Sequence, residues 1–360
     1  MNGRKYTFDS LRFYMILIIC ISHFSIYMDG RCLISPNIAV NYFFLLSGFG
    51  LAYNNTEVKQ SALCFGISKV KKIYKIYLYS MFCLVPLKII SDVILRSNHI
   101  KELIFLVGKI ILTPFMVQSL FGYTGITHIL NGVCWFFSCL FICYCVYPLF
   151  KKINSVILGD YKKGIIIGCG YIFIIWVLVF GFGYIEKISF FNDLAYTNPI
   201  IRCWYLGLGS VVGNYFYYRK DCKKNYNDNF RVCNSIIEII MVVLCVVYSI
   251  MRNIILNTTS WGLKELLDIV ITLGIFFAFF FENGIVSHFL KKVINRKLGS
   301  LSMLIYFFHY PVILYIDFIV KTIFHGYTKL ISLVSILCTV IITAIIVFVL
   351  NYFIDKRKRI

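Results

Sequence analysis

No stretch of this 360-residue sequence is both polar enough and long enough to fold as a sizeable soluble domain. Asp and Glu number only 16 against 36 Lys and Arg, and charged residues together make up 14% of the chain. The sequence has no internal repeat, low-complexity linker or Pro- and Ser-rich boundary, so it reads as one domain over residues 1–360, with its core roughly at 7–354. Metal-ligand spacing is also missing. Cys20, Cys83, Cys139, Cys143, Cys145, Cys169, Cys245 and Cys338 lie inside apolar runs, where cysteine acts as a small hydrophobe. Cys143 and Cys145, two apart on a helix, point to different faces, which argues against a metal site. No serine or cysteine sits in a nucleophile motif. Together these absences argue against a soluble enzyme, a metalloprotein and covalent catalysis by Ser or Cys.

What the sequence does contain is apolar surface. Hydrophobic residues make up 60% of it and aromatics 18%, and the mean hydropathy is +0.81. A soluble core cannot absorb that much. Apolar stretches long enough to cross about 30 Å of hydrocarbon recur throughout, which predicts an all-α, polytopic transmembrane helical bundle. Spans are expected near 11–29, 38–54, 73–95, 131–150, 164–184, 199–217, 234–253, 265–283, 299–320 and 330–354. The first has no small-residue cleavage site behind it and reads as a span rather than a removable signal.

An eleventh apolar segment, 103–120, fits less well. Lys109 interrupts it and Pro114 breaks it. If it crossed, the lysines at 151, 152, 162 and 163 and the cations Arg219, Lys220, Lys223 and Lys224 would lie opposite Lys69, Lys71 and Lys72. That conflicts with the positive-inside rule. With 103–120 re-entrant or interfacial, every strongly basic stretch falls on one side. The expectation is therefore ten spans in the plasma membrane with both termini cytosolic. The formal charge of +20 is then explained by orientation and anionic membrane lipid, not by nucleic acid. The glycine- and threonine-rich stretch "FGYTGITHILNG" reads as the wall of an exterior site, because irregular backbone at membrane depth needs protein or a water-filled cavity to satisfy it.

Within the first span, "DSLRFYMILIICISHF" places Arg12 near one end and His23 near the other. Eleven helical rises set them about 16 Å apart, and eleven residues are close to three whole turns, so both side chains share a face. Such a pair suits a long ligand with an anionic head and a reactive tail. The alternative is a histidine bonded to a neighbouring helix carbonyl. In the second span, "NYFFLLSGFGL" carries Ser47 and Gly48 inside an aromatic run, a pattern that also serves plain helix packing.

Taken in order, these stretches resemble the acyltransferase 3 family of integral membrane acyltransferases, which modify sugars and other acceptors at the cell surface. Asp9, Leu11, Arg12 and His23 match the family's first-span pattern. Phe43, Phe44, Leu46, Ser47, Gly48 and Phe49 match its "FF.LSGF" stretch. In "SKVKKIYKIY", Lys69 and Lys72 stand for two arginines and Tyr77 for the family tyrosine, while Lys75 replaces a proline. "VCWFFSCLFICYCVYPL" supplies Trp135 and Tyr144, with Leu140 where many members have glutamate. Arg202 and Gly207 match the seventh span, and Gly299, Ser302, Tyr306, His309 and Pro311 match the "LG..SY.IYL.H.P" segment.

The resemblance implies transfer of an acyl group, commonly acetyl, from cytosolic acyl-coenzyme A to a hydroxyl of a cell-surface or lipid-linked saccharide, with no permanently bound cofactor. Arg12, Lys69, Lys72 and Tyr77 would then hold the donor. His23 would act as general base or transient acyl carrier. Ser47, Trp135, Arg202 and His309 would contact substrate. An extended pantetheine arm is similar in length to the Arg12–His23 separation. A competing reading is a transporter or flippase for a lipid-linked or small anionic substrate, with Arg12, His23 and Arg202 along the path; it predicts repeats and discontinuous helices.

Overall fold

The computed structural model of the chain describes residues 5–95, 99–157, 160–188, 194–218, 228–255 and 261–359. Among them every regular element is helical. The longer helices are α1 (Tyr6–His23), α2 (Asn37–Tyr53), α3 (Ala62–Phe82), α4 (His99–Leu112), α5 (Trp135–Asn154) and α6 (Tyr161–Ile188). They continue with α7 (Pro199–Tyr217), α8 (Asp228–Ile255), α9 (Trp261–Phe280), α10 (Val293–Phe324) and α11 (Lys329–Arg359). Each of the ten expected spans falls on one of these helices, the third running on from α3 through Val85–Lys88 and a π-turn at Ile89–Ile94. Arg4, Arg219, Lys220, Lys223 and Lys224 lie outside the described residues.

Seven helices among the described residues, α1, α3, α5, α6, α8, α10 and α11, are long and apolar enough to cross a membrane unaided. The rest are built differently. Helix α2 has 17 residues, α7 carries Arg202, and α9 carries Lys264, Glu265 and Asp268 near its start. These three pack inside: α2 touches α1, α5, α7, α8 and α9. A helix shielded from lipid need not be apolar all round. By contrast, the apolar windows of α6, α8 and α11 are only 22%, 17% and 22% buried, which makes them the lipid-facing rim.

The α2–α7 crossing depends on glycine. A Cβ at Gly48 would strike the Leu206 carbonyl, one at Gly209 the Leu45 carbonyl, and one at Gly213 would lie 2.6 Å from the Phe49 oxygen. Backbone meets backbone along this seam, as in small-xxx-small membrane packing. Gly209→Leu is expected to force α2 and α7 apart and to destabilise the fold at or above the upper end of the usual overpacking range of about 1–3 kcal/mol. A large drop in the melting temperature of the detergent-solubilised protein checks this; an unchanged value would mean that the crossing tolerates a side chain.

Helix α1 is fixed through its first half. The Thr7 N–H donates to Glu282 Oε1 at 2.9 Å, placing a carboxylate at the positive end of the helix. Lys5 Nζ reaches the Phe280 carbonyl at 2.7 Å, and Ser10 Oγ the Leu290 carbonyl at 2.7 Å. Tyr14 donates to Asn295 Oδ1 at 3.0 Å, and Gly299 of α10 abuts the Asp9 carbonyl. Helix α10 contains Pro311, whose missing N–H frees the Phe307 carbonyl four residues back. Asn131 Nδ2 donates to that carbonyl at 2.9 Å. The proline thus creates the acceptor that ties the segment ahead of α5 to α10.

The 103–120 segment does not form a span. Helix α4, at 14 residues, is about 21 Å long. It ends in a 3₁₀ turn at Thr113–Phe115 that contains Pro114, followed by Met116 at φ 54°. Tyr77 and Tyr74 donate to the carbonyls of Thr113 and Pro114 at 2.8 and 2.9 Å, holding the break against α3.

Candidate active site

Arg12, Ile16, Ile19 and His23 follow one another at helical spacings of four, three and four, so they form one stripe along α1. Arg12, Ile16 and Ile19 line a cavity of about 260 Å³ with Ser47, Lys69, Leu140, Tyr144, Ser302 and Tyr306. Ile19 and His23 line a second, of about 620 Å³, with Asn37, His128, Trp135, Tyr196, Arg252, Tyr306 and Tyr310. Ile19 and Tyr306 belong to both. They are the wall at which the two chambers meet, and the Tyr306 hydroxyl is held there by the Val133 carbonyl at 2.5 Å.

At the first chamber's mouth the only ion pair of Arg12 among the described residues is to Asp9, at 3.7 Å. Its side chain is 45% exposed, so this pair is weak and leaves the guanidinium open to a stronger anion. Lys69 Nζ sits 4.8 Å from the centroid of the Phe65 ring. Ser47 turns its hydroxyl back to the Phe43 carbonyl at 2.8 Å. Leu140, where the resembled family often has an acid, contributes an apolar wall.

His23 is the last residue of α1, where the helix tightens into a 3₁₀ turn at Phe24–Met28. Its ring lies 5.5 Å from that of His309 and 5.0 Å from that of Tyr310. Among the described residues none shares a hydrogen bond with it. That separates it from the bonded structural histidine left open by the sequence. His309 is held on one side: its Nδ1 meets the Ile305 carbonyl of its own helix at 3.0 Å, its buried Nε2 has no partner among the described residues, it is 2% exposed, and it lines neither chamber. His128 is held by its own loop, Nδ1 to the Gly132 carbonyl at 2.8 Å, yet faces the larger chamber.

The fold brings Arg12, Ser47 and Lys69 to one chamber and His23 and Trp135 to the other. Lys72 is exposed and Tyr77 is buried against Thr113; neither lines a chamber. Arg202 also stands behind the walls. It is 2% exposed, gives Nη1 to Asn41 Oδ1 at 2.6 Å and Nε to the Tyr196 carbonyl at 2.9 Å, and lies within 6.0 Å of the Phe44, Trp135, Tyr196 and Tyr205 rings. Asn41 in turn donates to Tyr205 at 3.1 Å, and Tyr205 donates to Glu265. Arg202 therefore braces the Trp135 wall from outside the cavity.

The sequence reading overlooked a buried ion pair. Arg252, near the end of α8, gives Nε and Nη2 to Asp268 of α9 at 3.0 and 2.8 Å, and it also lines the larger chamber. The signal was present, since an arginine and two acids within apolar spans are functional candidates by default.

Along one stripe of α1 the fold thus sets a cationic mouth in one chamber and an imidazole in the next, with Ile19 and Tyr306 between them. Comparison with curated proteins and with solved structures returns no match. The family model described as the acyltransferase domain, acyltransferase 3, matches residues 5–352, nearly the whole chain. The protein thus belongs to the acyltransferase 3 family and is a multi-pass membrane acyltransferase.

Proposed function

We propose that the protein moves an acyl group, acetyl being the first candidate, from cytosolic acyl-coenzyme A to a hydroxyl of a cell-surface or lipid-linked saccharide. The observation supporting this is the single stripe of α1 that carries Arg12 into one chamber and His23 into the next. Arg12 and Lys69 hold the donor's phosphates, the first as a fork and the second as a point charge, and exposed Lys72 adds positive potential at the mouth. The pantetheine arm runs past Ile16 toward the Ile19–Tyr306 wall and presents the thioester to His23.

His23 takes the proton of the acceptor hydroxyl as its oxygen attacks the thioester carbonyl. The carbon–sulfur bond breaks, and the imidazolium returns the proton to the departing thiolate. In the second version the imidazole nitrogen attacks first, and the acceptor hydroxyl then discharges a transient acyl-histidine. Coenzyme A leaves as product. The alternative, transport or flipping of an anionic substrate, is weakened by Arg202, whose guanidinium is closed in by Asn41 and Tyr196.

The test is acetyl-coenzyme A-dependent incorporation of labelled acetate into surface polysaccharide by cells carrying the wild-type chain, compared with the His23 variant described below. Label that depends on neither rejects the reading. The same proposal sets both termini and the loops at 54–72 and 218–233 in the cytosol of a plasma-membrane protein, where most of the 36 basic residues share one side. A cysteine introduced at position 225 is expected to resist membrane-impermeant maleimide in intact cells and to react after permeabilisation. Labelling from outside would overturn the ten-span arrangement.

A further inference from the structure

We infer that the acceptor bound in the larger chamber carries an oxyanion, a carboxylate or a phosphate, recognised by Arg252; this rests on the reading of that chamber as the acceptor's. The two arginines buried in this half of the bundle do different work. Arg202 is enclosed by Asn41, the Tyr196 carbonyl and four rings and reaches no cavity. Arg252 is fixed by Asp268 through Nε and Nη2, and Arg252 is one of the residues that line the chamber. Asp268 is fully buried, and the Arg252 side chain is 13% exposed.

A buried ion pair seldom stabilises a fold more than apolar side chains of the same volume would, so packing alone does not account for this one. Its effect on the chamber is specific. Asp268 fixes the plane of the guanidinium, and a guanidinium fixed in that way offers its remaining N–H groups to an oxyanion with little ordering cost. The chamber lining includes two imidazoles, Asn37 and the rings of Trp135 and Tyr310, which suit a sugar's hydroxyls and faces. None of the lining residues is a carboxylate, and the acids close to Arg252 are Asp268, whose charge the guanidinium itself pairs, and Glu265. Because Arg252 and His23 line the same chamber, anchoring the acid group at one determines which hydroxyl is presented to the other.

The experiment uses the purified full chain in detergent with no acyl donor present, so its outcome is independent of whether acyl transfer is the reaction. Thermal stabilisation is measured against methyl glucuronide, glucose 6-phosphate and methyl glucoside. At least one anionic sugar is expected to stabilise the protein at a tenfold or lower concentration than the neutral glucoside, and the better anion identifies carboxylate or phosphate as the recognised group. The double variant Arg252→Gln with Asp268→Asn keeps a neutral hydrogen-bonded pair and is expected to lose the preference while eluting as the wild type does. Should that variant not fold, Arg252→Lys is used, which keeps the charge and loses the fork; the preference is expected to fall several-fold. Equal response to the three sugars, no response to any, or a preference that survives in the folded variant overturns the inference.

Discussion

Replacing His23 by alanine is expected to abolish acyl transfer, a loss of at least the roughly 10²–10⁴-fold that a positioned general base contributes. Expression and membrane insertion should be unaffected. The ring closes no hydrogen bond with a described residue, and its neighbours His309 and Tyr310 meet it as ring contacts at 5.5 and 5.0 Å on a cavity wall. The alanine variant therefore enlarges a space that is already open and leaves no buried partner unpaired. The measurement is label transferred from acetyl-coenzyme A to polysaccharide in membranes matched for protein level. Activity within a few-fold of wild type would make His23 structural. The same membranes, given donor without acceptor, separate the two chemical versions: label retained on the wild-type chain but not on His23→Ala marks an acyl-histidine, whereas label on neither marks a base.

Arg12→Ala is expected to raise the apparent Michaelis constant for acyl-coenzyme A by about ten- to a hundredfold while leaving that for the acceptor nearly unchanged. A charge-assisted contact to phosphate is worth roughly 1.5–3 kcal/mol, which sets that range. The existing partner of Arg12 does not compete strongly, since Asp9 lies 3.7 Å away in a half-exposed pair. Arg12→Lys should recover part of the loss, because a point charge replaces the fork only incompletely. Lys69 lines the same chamber, so Lys69→Ala is expected to act in the same direction and to combine with Arg12→Ala less than additively. If Arg12→Ala raises only the acceptor's constant, the guanidinium serves the wrong ligand and the two-chamber division of roles fails.

Much of the fold was legible because it rests on local rules. Hydropathy located the ten helices that match the expected spans, and Pro114 with Lys109 marked the segment that does not cross. The three expected spans that would not cross unaided fall short for different reasons, α2 by its 17-residue length, α7 by its polar residues and α9 by the charges near its start, and the bundle shields all three from lipid. The site was legible where one helix carries it. Arg12 and His23 share a face because 3.6-residue periodicity is fixed by the backbone, and the intervening Ile16 and Ile19 complete the same stripe.

By itself, then, the sequence determined the all-helical membrane class, the acyltransferase 3 pattern and the spacing of the two polar ends of α1. Tertiary structure decided what each buried charge is for. Arg202 and Arg252 look alike along the chain, each an arginine within an apolar span. Asn41, 161 residues away, and the Tyr196 carbonyl enclose the first, while Asp268 fixes the second at a cavity wall. His23 and His309 likewise differ in how the fold places them: His23 lines an open chamber, while His309, 2% exposed, is buried in the bundle and lines neither chamber. A charged or titratable group becomes a brace or a ligand contact according to how many of its donors and acceptors the protein itself satisfies. That is set by contacts between helices distant in sequence, which residue type and spacing do not encode.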